Sequence, residues 1–154
     1  MFRSASIFTA ALCIVILQVL FSVRAQSQTF SYRTYDENSG LPGSYLNVIA
    51  QDKSGFLWVG VDSNLFRYDG FDFHRMAFPE KQSRGNINAL FCDREGTMWA
   101  GLTDGSLYTW SEGGSLQHMA LPESDRINRI TEGPHSKVWI ITQTEGIYLA
   151  DVGR

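Results

Sequence analysis

Three tryptophans, Trp58, Trp99 and Trp139, stand 41 and 40 residues apart, and the residues around them recur as well. The segments leading into them read NVIAQDKSGFLW, NALFCDREGTMW and NRITEGPHSKVW. Asn47, Asn88 and Asn128 thus each precede their tryptophan by eleven residues. A fixed period of this length marks one supersecondary unit copied along the chain, each copy too small to bury its apolar face alone. That requirement narrows the fold more than any composition figure does.

Each unit divides into short β-runs joined by tight turns. In the first, Val48 to Gln51 is a run, Asp52-Lys53-Ser54-Gly55 a turn, and Phe56 to Gly60 a second run. An Asp heading such a turn bonds its own backbone, and a Gly ending it accepts positive φ. Asp93-Arg94-Glu95-Gly96 repeats that chemistry. Leu65 to Tyr68 is a third run, Asp69-Gly70 a hairpin turn, and Phe71 to Phe78 a fourth run. Apolar residues at helical spacing are not sustained anywhere, and the 14 glycines and 4 prolines suit many short turns. Four antiparallel strands in one such period is a β-propeller blade. The expected fold is all-β, an incomplete propeller of about three four-stranded blades. The units fall roughly at residues 40–80, 81–121 and 122–154, and Phe30 to Asp36 reads as a further strand ahead of them.

The Trp-x-Gly pattern then has a packing meaning. In a strand, Trp58 and Gly60 share one face while Leu57 and Val59 share the other. Stacked blades bury both faces of a middle strand, and a tryptophan burying ~200 Å² contributes on the order of 5 kcal/mol gross. The glycine two residues on leaves room for bulk from the next blade. The third unit departs here, with Ile141 where Gly60 and Gly101 stand and Gly133-Pro134 in place of an apolar-Asp step.

Residues 1–25 are set apart from this pattern. Arg3 opens a short basic start, Ile7 to Phe21 is a mostly apolar run, and Val23-Arg24-Ala25 places small residues where a signal peptidase reads them. The expectation is a signal peptide cleaved after Ala25, and an exported, periplasmic or extracytoplasmic product of residues 26–154. Loss of Arg3 and Arg24 moves the net charge from −3 to about −5, which argues against nucleic acid as a partner. Cys92 is then the remaining cysteine, so stability is expected to come from packing without an internal disulfide.

NVIAQDKSGFLWVG, together with GLP at Gly40 to Pro42 and RYDGFDF at Arg67 to Phe73, resembles the two-component regulator propeller repeat. The resemblance covers about residues 30 to 150. It implies the extracytoplasmic sensor part of a membrane-bound regulator whose output is most often a histidine kinase, sometimes a diguanylate cyclase or a transcription-factor domain. It also implies an unidentified small ligand, with carbohydrate the class most associated with such sensors. Three units fall short of the roughly four to eight blades that close a ring, so a chain truncated before its output domain is expected. Blade edges left unpaired would favour self-association.

Residues able to carry chemistry are few and scattered. His74, His118 and His135 fall one per unit without metal-ligand spacing. Asp52, Asp69, Asp93 and Asp104 read as turn residues bonding local backbone. Cys92 has no histidine motif beside it that would make it a nucleophile. Of the aromatics, Tyr45, Phe71, Phe73 and Tyr108 are the candidates for stacking on a ligand ring, against a simpler role in blade packing. No catalytic, metal or cofactor site is assigned. The expected function is a non-catalytic sensor module; the competing reading is a fragment of an exported propeller lyase or hydrolase.

Overall fold

The computed structural model describes residues 29–42, 45–78 and 85–151, so the expected signal peptide lies outside the described residues. Residues 29–34 are irregular in backbone, with Phe30 and Tyr32 exposed. From Tyr35 onward the chain is all-β. Strands β1 (Leu46–Gln51), β2 (Leu57–Val61), β3 (Asn64–Tyr68) and β4 (Phe73–Met76) make a first antiparallel sheet in that order. Strands β5 (Ile87–Cys92), β6 (Met98–Leu102), β7 (Leu107–Trp110) and β8 (Gln117–Met119) make a second. A third holds β9 (Ile127–Glu132), β10 (Lys137–Thr142) and β11 (Ile147–Asp151), three strands among the described residues.

The turn chemistry works as its residues suggest, with one extension. Asp52 Oδ1 accepts from the Phe56 amide, and Asp93 Oδ1 accepts from the Glu95 and Thr97 amides. Gly55 and Gly96 both take φ of +89°, a region costly to any residue with a Cβ. The motif asparagines have a further role. Register shifts between Leu46 and Val48 and between Ile87 and Ala89, and again across Asn128 in β9. Each Asn is therefore the extra residue of a bulge that re-aims its strand.

Two expectations about strands are corrected. Phe30 to Asp36 is not a strand; its Tyr35 instead packs edge-on against Tyr68 and Phe73. The β3–β4 hairpin is also longer than a two-residue Asp-Gly turn. Its loop runs from Asp69 to Asp72, because Asp69 Oδ1 accepts from the Phe71 and Asp72 amides and holds a four-residue turn closed. The fourth strand begins only at Phe73.

Stacking follows the Trp-x-Gly pattern. A Cβ built on Gly60 would sit 2.9 Å from Ile87 Cγ2, and one on Gly101 would sit 2.8 Å from Ile127 Cβ. Each glycine is thus the hole that receives the first apolar residue of the next blade. All five residues of β6 are buried, since both of its faces meet another sheet. Trp58 joins Ile87, Leu90, Met98 and Trp110 in one core, and Trp99 joins Ile127, Ile130 and Val138 in the next. The opposite face of β2, with Val59 and Val61, is covered by Tyr35 and Leu41, which flank a 3-10 turn at Glu37–Ser39.

The third sheet departs from the pattern. Trp139 pairs across from Leu149 and Ile141 from Ile147, which places all four on one face. Leu107, the counterpart of Ile147 in the second blade, is fully buried, whereas Ile147 is 52% exposed and Leu149 53%.

Loops between blades are tied by carboxylates whose roles alternate. Asp104 Oδ2 in the β6–β7 loop accepts from the Gly85 amide ahead of β5. One blade on, the carboxylate sits on the other side: Asp125 ahead of β9 accepts from Thr144 and Glu145 amides in the β10–β11 loop. The Thr144 amide, then that of Glu145, pull the Asp125 pKa down to about 2. A depressed carboxylate stabilises the fold above its unfolded value near 4 and loses that contribution as pH falls towards 2. Denaturation midpoints followed from pH 5 to pH 2 should therefore fall less steeply in Asp125→Asn than in the parent. An unchanged slope would mean this loop tie does not couple to folding.

Candidate functional site

A cleft of about 440 Å³ opens between the first two blades. Its walls are the β1–β2 turn (Asp52 to Ser54), the β5–β6 turn (Glu95 and Gly96) and the turn after β7 (Ser111 to Gly114), and Trp58, Met98 and Trp110 line it as well. These turns share one end of the sheets because the antiparallel order repeats from blade to blade. The Trp58 and Trp110 rings meet at 4.9 Å, tilted by 60°. Arg67 reaches in from β3, its guanidinium 4.6 Å from the centre of the Phe56 ring.

Most polar groups around the cleft are satisfied. Trp58 Nε1 donates to Asp52 Oδ2 at 2.7 Å, and Ser54 Oγ donates to Glu112 Oε2 at 2.9 Å. Two donors are not. Arg67 Nε and Trp110 Nε1 are both buried without a hydrogen-bond partner, and Trp110 as a whole is 5% exposed. A buried donor left unmade costs about 1–3 kcal/mol, so two lining one cleft mark a place suited to an acceptor.

Neither residue follows the repeat. Arg67 holds the β3 position that Thr109 takes in β7 and Leu149 in β11; Trp110 holds the position of Tyr68 and Ala150. Sequence reasoning looked at residues that recur and passed over both. Their signal was departure from the period, and Trp110 is the one tryptophan outside it.

The residues singled out from the sequence go elsewhere. Tyr108 is fully buried, edge-on to Phe78, and Phe73 stacks on Tyr68 at 4.6 Å, so both are packing residues. Tyr45 and Phe71 are exposed, and neither lines the cleft. His74 Nε2 lies 2.8 Å from Asp69 Oδ2, whose pKa is lowered chiefly by the Asp72 and Phe71 amides and then by this histidine. His118 tilts over the Tyr108 ring, and His135 sits in a short 3-10 turn with φ of +62°. Among the described residues no group of His, Cys, Asp or Glu is gathered as metal ligands. Cys92 is half-buried, and burial pushes its thiol pKa up. No helix among the described residues is long and apolar enough to cross a membrane.

Stacked antiparallel sheets with a bulged first strand and a Trp-x-Gly second strand define blades of a β-propeller. Residues 40–63, within the first blade, match the two component regulator propeller family. Over 52 residues the chain is 38% identical to Histidine kinase P4 of Formosa agariphila, a stretch covering 34% of this chain and 4% of that protein. The fold is shared with the extracellular domain of a hybrid two component system from B. thetaiotaomicron (TM-score 0.65, 22% identity, 82% of this chain and 19% of that one). It is shared too with virginiamycin B lyase from Staphylococcus aureus (TM-score 0.57, 14% identity, 73% of this chain and 43% of that one). The chain thus spans less than half the length of each of these proteins.

Proposed function

We propose that this chain is a ligand-sensing propeller module of an extracytoplasmic receptor of the two-component type, with no catalytic activity of its own. The observation that carries the reading is the family match at residues 40–63, supported by the likeness to a histidine kinase. The apolar run at Ile7 to Phe21 supports an exported location. The inter-blade cleft is where a small ligand would act, because it combines room with unsatisfied donors. Ile147 and Leu149, apolar and half exposed on the third sheet, support a packing partner for that face, self-association among the possibilities.

Thermal unfolding of the full chain against a library of small polar compounds tests the reading. A binding module raises its Tm as ligand is added, by a roughly constant step per tenfold in concentration above the Kd, and returns that ligand chemically unchanged. Conversion of the stabilising compound would overturn the non-catalytic reading and favour an exported propeller lyase or hydrolase.

A further inference from the structure

We propose that the cleft between the first two blades binds a small organic carboxylate, held by Arg67 and by the Trp110 indole N–H. The inference rests on the binding-module reading and adds the chemical class of the ligand. Both unsatisfied groups are donors, and an indole N–H can do nothing but donate. The partner must therefore bring acceptors. A guanidinium is planar and always charged, and its fork matches the two oxygens of a carboxylate. The guanidinium lies over the Phe56 ring, 4.6 Å from its centre, a contact that restrains it before any ligand arrives.

The acidic neighbours do not remove the argument. Asp52 is occupied by Trp58 Nε1 and the Phe56 amide, and Glu112 by the Ser54 hydroxyl. Glu95 is exposed at the rim, and Lys53 adds a second cation to the same wall. Met76 and Met98 offer apolar, deformable surface to the body of the ligand. The second junction among the described residues has Thr109 and Ala150 at the corresponding places, so the carboxylate site is a feature of the first junction and not of the second.

Benzoate is a suitable probe, with benzyl alcohol as a neutral compound of similar shape, titrated into the ¹⁵N-labelled full chain. The indole N–H signals of Trp58, Trp99, Trp110 and Trp139 report separately once Trp110→Phe assigns its own. The expected result is a saturable shift of the Trp110 signal with benzoate, about tenfold weaker with benzyl alcohol. Arg67→Met should abolish it and Arg67→Lys retain part of it, with unchanged Trp99 and Trp139 signals reporting that each variant is folded. Absence of saturation with benzoate, or equal affinity in Arg67→Met or for benzyl alcohol, overturns the carboxylate assignment. Should a neutral compound from the thermal screen bind independently of Arg67, the sensor reading stands while this inference falls.

Discussion

Gly101→Val is expected to destabilise the chain by about 3 kcal/mol, the upper end for overpacking a filled core. A Cβ at this position would come within 2.8 Å of Ile127 Cβ, and Ile127 is itself fully buried between Trp99 and Leu107. The glycine is in a strand with ordinary φ, so backbone strain does not enter. What the valine loses is space. Ile127→Ala alone should cost a similar amount, by leaving a cavity. Combined, the two changes partly exchange hole and knob, so their total should fall clearly below the sum of the single effects. Urea denaturation followed by tryptophan fluorescence reads all three variants. Strict additivity, or a neutral Gly101→Val, would mean that the blades do not pack through this contact. Gly60→Val should behave in the same direction, because Ile87 Cγ2 and Val48 Cγ1 each lie 2.9 Å from its Cβ position.

The same geometry explains what could be read from the sequence. The tryptophan recurs in all three units, and the glycine and aspartate beside it recur in the first two, so Trp58, Gly60, Asp52 and their counterparts were legible. The role of the motif asparagine was not, because a bulge leaves no composition signal of its own and shows only as a register shift. FSYRTYD looked like a strand because aromatic and β-branched residues favour one. A strand needs a partner edge, and Tyr35 and Leu41 instead cover the Val59 face of the first blade. The Asp69 loop was misjudged because the Asp69 carboxylate closes a wider turn than the Asp-Gly pair suggests. The cleft was missed for a different reason. Arg67 and Trp110 line it at positions where their blades differ, and a search for repetition discards differences.

Asp93→Ala should be nearly as damaging as Gly101→Val, at about 3 kcal/mol, for electrostatic rather than steric reasons. Asp93 is 3% exposed, and its carboxylate accepts from the Glu95 and Thr97 amides and from Trp99 Nε1 at 2.8 Å. Removing it strands three donors at once, one of them on a buried indole. Asp93→Asn should cost less, since its amide oxygen can still serve the backbone donors while its NH₂ cannot accept from the indole. The third blade shows the arrangement without the acid. Gly133 occupies the equivalent place, and Trp139 Nε1 is buried with no partner. Restoring the carboxylate there is nevertheless expected to fail. The Trp139 indole has moved over Gly133, with Cδ1 2.6 Å from where a Cβ would stand. Gly133→Asp should thus lower stability, although it supplies the acceptor that the indole lacks. A more stable Gly133→Asp, read by the same urea titration, would show instead that the indole swings back to the position Trp58 and Trp99 hold. Aspartate and glycine at this one position therefore select two ways of seating the same tryptophan: a hydrogen bond in the first two blades and close packing in the third.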